Sequence, residues 1–449
     1  MTEAEKHYEK MTLTPVSKLI MSLGIPTTVS MLITNIYNLA DTYFVGTLGE
    51  SQQAATGILF TLQAIIQALA FMLGHGSGTF VSKFLADKNT KEASGYVSTA
   101  FFTGALFGTL LAAAGLIFID PFMRLLGSTT TILPYAKDYG LWVLLSCPFM
   151  VCSLILNNNL RYEGKAFYAM IGLTAGGILN IFGDYVLIQC AGMGVYGAGL
   201  STAVSQFISF CILLTLYIRN AQTSISVKYI SRKASTYFNI VRCGFPSLIR
   251  QGLTSVSNGV LNNLTKPFGD AAIAAISVVN RFSSFVMCIG LGIGQGFQPV
   301  CAFNYEAKQY KRVKKGLVFT TVFGLFLVGI ISISGFIFAD KIIYLFQKSE
   351  NVIEIGTTAL RLACVGLLFQ PLSVPVNMLY QSIQKAETAS LLSTLRSGII
   401  LIPALLIGSK FFGLIGIEAS QPFADIVTGI ICIPVIINFI RNDHKDSPY

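Results

Sequence analysis

Long, predominantly apolar runs alternate along the chain with short polar segments rich in Lys, Arg, Asn and Gly. About twelve runs approach or exceed the roughly 20 residues that an α-helix needs to cross a hydrocarbon core of about 30 Å. They cover 16–46, 54–80, 96–120, 135–160, 168–190, 196–218, 238–264, 272–300, 317–338, 357–380, 388–409 and 414–440. Lipid offers no partner to an open backbone, so each run is expected to be helical and the chain to be an all-α polytopic membrane protein. The first run is longer than a straight span requires and contains Pro26, which predicts a bend there, a candidate hinge.

The order of the runs repeats. GIPTTVSMLI from Gly24 returns as GFPSLIRQGL from Gly244, an offset of 220. Leu48–Glu50 (LGE) and Phe268–Asp270 (FGD) keep that register, as do GHGSG from Gly74 and GQGFQ from Gly294, and Lys165 and Lys385. GVYGAGLS from Gly194 matches GLIGIEAS from Gly413 at an offset of 219. Six spans repeated in one orientation imply two pseudo-symmetric six-helix lobes related by an axis along the membrane normal, with a cavity between them. The expected division is 1–220 and 221–449, the basic loop from Arg219 to Arg242 joining the halves.

Composition agrees with this class. Charged residues make up 12% of the chain, against about 25% in soluble domains, and the mean hydropathy is +0.66. The net charge of +10 does not mark a nucleic-acid surface, because the cations lie in the connections. With the amino terminus placed in the cytoplasm, Lys83, Lys88, Lys91, Arg161, Lys165, the Arg219–Arg242 loop, Lys308–Lys315 and Lys445 fall inside. Only Arg124, Lys137, Lys266, Lys341, Lys348 and Lys410 fall outside, so both termini are expected to be cytoplasmic. The first fifteen residues lack the apolar stretch and small-residue cleavage site of a signal peptide. The nine cysteines are scattered and none has metal-ligand spacing. GLGIGQG from Gly290 is not followed by Lys-Ser/Thr, and no hydrolytic constellation is present, so neither ATP use nor enzymatic catalysis is expected.

A charge at the bilayer centre costs about 2.5 to 3.5 kcal/mol on insertion scales, so the acids that remain there are candidates for function. Asp41 lies in the first span and Asp184 in the fifth. Tyr37 and Asp41 share one helical face, as do Asn180 and Asp184. Thr202 supplies a hydroxyl in the sixth span. The register puts Leu261 opposite Asp41 and Ala404 opposite Asp184, so the acidic pair exists in one lobe alone. Such a group could hold Na⁺ in an oxygen shell of Asp41, Asn180 and Thr202, or let one carboxylate carry a proton. In the second lobe Gln251, Asn258, Asn262, Asn280, Gln295 and Asn377 are interleaved with Phe and Met, among them Met287. That lining suits a cavity for amphiphilic solutes, although helix–helix hydrogen bonding explains any single residue as well. Arg281 or Arg396 could pair with Asp425, and His75 between glycines reads more readily as a hydrogen-bonding residue than as a proton shuttle.

DTYFVGTLGE from Asp41, NNNLRYEGK from Asn157, GVYGAGLSTAVSQ from Gly194 and GIGQGFQPVCAFNYEAK from Gly292 accompany Pro26 and the offset repeat. Together they make the chain resemble the multidrug and toxic compound extrusion (MATE) transporters, in their MepA-like bacterial branch. The resemblance implies a V-shaped pair of six-helix lobes in a bacterial plasma (inner) membrane. It implies a secondary active antiporter that exports cationic or amphiphilic drugs in exchange for H⁺ or Na⁺ by alternating access, with no other cofactor. It places the cation site on Asp41, Asn180, Asp184 and Thr202, with Tyr37, Tyr139 and Asn157 as neighbours. Some relatives carry an acid in the seventh span; this chain has none between Val241 and Lys266, so coupling is expected to rest on the first lobe. A flippase for lipid-linked oligosaccharide would share the fold, but needs a more cationic cavity than these spans supply. A monomer is adequate for a two-lobed exchanger.

Overall fold

The computed structural model describes residues 3–441, and every regular element among them is helical. In chain order they are α1 (Glu3–Leu13), α2 (Val16–Gly46), α3 (Glu50–Ala86), α4 (Thr90–Ile117), α5 (Ile119–Leu125), α6 (Leu133–Tyr162), α7 (Ala166–Asp184) and α8 (Gly194–Asn220). The second half contributes α9 (Ala234–Thr265), α10 (Asp270–Glu306), α11 (Tyr310–Ile337), α12 (Ala339–Phe346), α13 (Glu350–Leu367), α14 (Gln370–Ser382), α15 (Ala386–Thr394) and α16 (Leu401–Arg441). The carboxy terminus and Lys445, assigned above to the cytoplasm, lie outside the described residues.

Among the described residues, nine helical stretches are long and apolar enough to cross a membrane, and α13 with α14, bent by 45°, makes a tenth. The stretch Ala386–Arg441 has 56 residues, far more than one crossing needs. At Gly413 its backbone turns to φ 60°, and a Cβ on Gly408 would stand 2.7 Å from the Gly416 carbonyl oxygen. Residues eight apart in a straight helix stand about 12 Å apart, so the chain doubles back here and the stretch forms two legs. The polar α9 occupies the place of α2 in the repeat and completes twelve.

The repeat extends to individual backbone angles. α4 and α11 each have 28 residues and α3 and α10 each have 37. Lys88 and Lys308, 220 apart, both take φ 57°; Gly164 at φ 74° is matched by Gln384 at φ 63°. The fifth leg of each half contains a π-helical turn, at the end of the leg in the first half (Tyr185–Cys190) and within it in the second (Leu395–Ile399).

Two compact units form, one of residues 1–10 and 29–251, the other of 11–28 and 252–449. The chain passes between them inside α2, two residues after Pro26, and inside α9, five residues after Pro246. Glycine makes each opening half-helix fit its unit. In the first, a Cβ on Gly244 of α9 would meet the Met72 carbonyl oxygen at 1.8 Å, and one on Gly76 of α3 would meet that of Ile240 at 2.0 Å. In the second, a Cβ on Gly296 of α10 would lie 2.5 Å from the Gly24 Cα.

A buried polar chain adds to the α3–α9 contact. Arg161 Nη2 lies 2.9 Å from His75 Nε2 and donates to Asn158 Oδ1 at 2.6 Å, while His75 Nδ1 lies 2.7 Å from Ser247 Oγ. Guanidinium cannot accept, so His75 accepts at Nε2 and donates its Nδ1–H to Ser247: a neutral bridge between α6, α3 and α9. The register gives the second half Gln295, Gln381 and Thr27 at these positions.

Alanine at Gly76 or Gly244 is expected to destabilise the protein by about 1 to 3 kcal/mol through overpacking, read as a lower melting temperature in detergent. Alanine at Gly57, which has no neighbour within 4 Å, is the control that should not lower the melting temperature.

Candidate cation-coupling site

Four helices of the first unit bring the site together: α2 supplies Asp41, α6 Tyr139, α7 Asn180 and Asp184, and α8 Ser201 and Thr202. Small residues permit the approach. A Cβ on Gly177 of α7 would lie 2.8 Å from the Ile33 side chain of α2, and one on Gly183 would lie 2.5 Å from Ser201 Oγ of α8. The π-helical turn that follows Asp184 widens the helix there, a feature often found at functional sites.

The hydroxyls and amide form a directed chain. Tyr139 donates its O–H to Asp41 Oδ2 at 2.7 Å and stands 3.2 Å from Thr202 Oγ1. With the tyrosine O–H directed at the carboxylate, the Thr202 hydroxyl must donate to the tyrosine oxygen. Asn180 Nδ2 donates to Thr202 Oγ1 at 3.2 Å, and Ser201 Oγ donates to the Asn180 carbonyl at 3.0 Å. Asp184 is fully buried and within electrostatic reach of Asp41, which is 2% exposed.

Four acceptor oxygens remain unserved: Asp41 Oδ1, Asn180 Oδ1 and both oxygens of Asp184 have no hydrogen-bond partner. Ionised carboxylates accept only, and buried without a donor they are costly. A group of this composition has the chemistry to accept what it lacks, a proton or an oxygen-coordinated cation. The second half offers a contrast beside its own π-helical turn, where Arg396 Nε and Asp425 Oδ1 close a buried ion pair at 2.6 Å and Gln421 donates to the same oxygen.

Of the other residues singled out from the sequence, Tyr37 is half-buried one turn from Asp41, with its ring against Gly177. Asn157 is not brought to the carboxylates: its amide donates to the Ala169 carbonyl at 2.9 Å and ties α6 to α7. Asn377 makes the matching bond to Ala389 at 2.6 Å, so the two asparagines, 220 apart, hold equivalent helix pairs. Gln295 is also buried, whereas Gln251 and Met287 are half-buried and Asn258, Asn262 and Asn280 are exposed. Gln251, Ser255, Asn258 and Asn262 form a polar stripe along one face of α9, a face poorly suited to lipid. The sequence reading passed over Glu418, a buried acid of α16 whose Oε2 has no partner; its signal is a charge inside an apolar run.

The MatE family model matches residues 26–186 and 246–407. The chain belongs to the MatE family. Members of the MatE family are membrane transporters, so the chain is a transporter and not an enzyme. Among relatives, the "Multidrug export protein MepA" of Staphylococcus aureus MSSA476 is 26% identical over 434 residues, 96% of this chain and 95% of that protein. That of Staphylococcus saprophyticus is 25% identical over 425 residues, 94% and 93% of the two chains. A MATE protein crystallised in complex with MaL6 has a TM-score of 0.90 at 23% identity, covering 98% of this chain and 100% of its own. An outward-facing multidrug resistance MATE family transporter of the MOP superfamily has a TM-score of 0.89 at 22% identity, with the same coverages. These likenesses fix the MatE fold.

If Tyr139 and Asp41 act as a pair, Tyr139→Phe and Asp41→Asn should be non-additive in thermal unfolding, with a coupling of about 0.5 to 3 kcal/mol. Additive losses would show that the 2.7 Å contact carries no energy of its own.

Proposed function

We propose that the protein is a secondary active multidrug efflux antiporter of the plasma membrane, exchanging cationic or amphiphilic compounds for H⁺ or Na⁺. The observation that carries this reading is the buried Asp41–Asp184 group with its four unserved oxygens, in a MatE-family chain with relatives named for multidrug export. A chain whose second half closes its comparable ion pair, Arg396–Asp425, has no structural need for open carboxylates in the first half.

In this reading the first lobe (1–220) couples the ion and the second (221–449) forms a wall of the substrate cavity, with the polar stripe of α9 facing the solute. Proton or Na⁺ uptake neutralises Asp41 and Asp184. The loss of negative charge weakens the hold on a cationic drug and relieves the constraint on the outer half of α2. Because α2 changes unit two residues after Pro26, any relative movement of the units must be absorbed there and in α9, which makes Pro26 the hinge. Asn180, Thr202 and Tyr139 orient the acids and, if Na⁺ is the ion, Asp41, Asn180 and Thr202 supply ligands to it. Both termini face the cytoplasm and the monomer suffices.

The test is dye efflux from proteoliposomes under an imposed Na⁺ or pH gradient, with Asp41→Asn and Asp184→Asn compared against the intact protein. Efflux driven by one gradient and reduced at least tenfold in both variants, each melting at or above the wild-type temperature, is expected. Undiminished gradient-driven efflux by Asp41→Asn would overturn the coupling assignment.

A further inference from the structure

The two halves treat one equivalent surface differently. In the first half the connection after α8 lies across the opening turns of α4. Its backbone is caught by hydroxyls: Ser224 N donates to Ser94 Oγ at 3.0 Å, Ser226 N to Ser98 Oγ at 3.1 Å and Ser231 N to Thr99 Oγ1 at 2.9 Å. The start of the connection is held by Glu163, which accepts from Gln222 N at 2.6 Å. Moving 220 residues on converts every one of these anchors. Ser94, Gly95, Ser98 and Thr99 become Lys314, Lys315, Val318 and Phe319 of α11, and Glu163 becomes Ile383. No hydroxyl or carboxylate remains there to catch a peptide backbone.

In its place is a groove of about 660 Å³ whose walls are apolar apart from two lysines at one end. Lys314, Lys315, Phe319, Val322 and Phe326 line it along α11, and Ile440 of α16 closes its side. Phe319 and Phe323 stack with their centroids 5.4 Å apart. From Lys314 to Phe326 the helix advances about 18 Å, the depth of one leaflet from its headgroups towards the midplane. We propose that this groove binds one anionic phospholipid of the leaflet on the Lys314 side, its phosphate on the two lysines and one acyl chain along Phe319–Phe326. Charge complementarity selects the headgroup, since lysines at a helix end reach to the interface and attract anionic lipid. The matched length selects an acyl chain. The polar segment that covers the equivalent face of α4 would find no partner for its amides here. The site lies on α11 and α16 and is independent of the acidic pair.

The test titrates the full-length protein in detergent with phosphatidylglycerol or phosphatidylcholine and reads bound lipid by native mass spectrometry. The comparison is with Lys314→Gln/Lys315→Gln and with Val322→Trp, which fills the groove and leaves the lysines in place. Wild type should retain phosphatidylglycerol in preference to phosphatidylcholine, and each variant, melting as wild type without lipid, should retain it about tenfold less. Equal retention of the two lipids, or undiminished retention by either variant, would overturn the proposal. So would two other results: displacement of the lipid by equimolar inorganic phosphate, marking a bare anion site, or a severalfold rise in lipid retention on deletion of residues 442–449, marking the tail as the occupant.

Discussion

Unpaired charge is expensive in a hydrocarbon core, and the polar interior of this protein is arranged around that expense. Several buried charges are answered. Arg396 meets Asp425 at 2.6 Å, and Arg161 donates to Asn158 and His75. At Asp41 and Asp184 the arrangement stops short: one tyrosine hydroxyl serves one carboxylate oxygen, and the other three oxygens have no hydrogen-bond partner. Such incompleteness leaves room for a proton or a cation, from which a fully satisfied network would have nothing to gain.

The scaffold around that site is nearly symmetric. Helix lengths and left-handed residues recur at the 220-residue spacing, and Asn157 and Asn377 tie equivalent helices together. What differs between the halves is the chemistry placed on the common frame: carboxylates or an ion pair beside the fifth leg, and a histidine–arginine chain or neutral amides at the α3 and α10 positions. The repeat supplies a matching pair of frames, and divergence at a few buried positions gives them different buried chemistry.

Much of this was legible in the chain. The apolar runs located the spans, because a helix is the only single-segment structure that satisfies its own backbone in lipid. The break expected between 409 and 414 is found at Gly413. Helix ends were less legible: α3 runs from Glu50 to Ala86 where 54–80 was expected, since helices continue past the hydrocarbon into the interface and hydropathy does not mark where they stop. The short helices α1, α5 and α12 left no apolar signal of sufficient length.

By itself the sequence determined the class, the twelve legs, the repeat and the confinement of the acidic pair to one half, all of which follow from local composition and spacing. Only the tertiary structure decided which polar atoms meet. It gave Tyr139 rather than Asn157 to Asp41, made His75 a neutral bridge, and divided α2 and α9 between the two units. Periodicity states which face of a helix a residue occupies. Which neighbour that face finds depends on glycine contacts between segments far apart in the chain, and those no local pattern records.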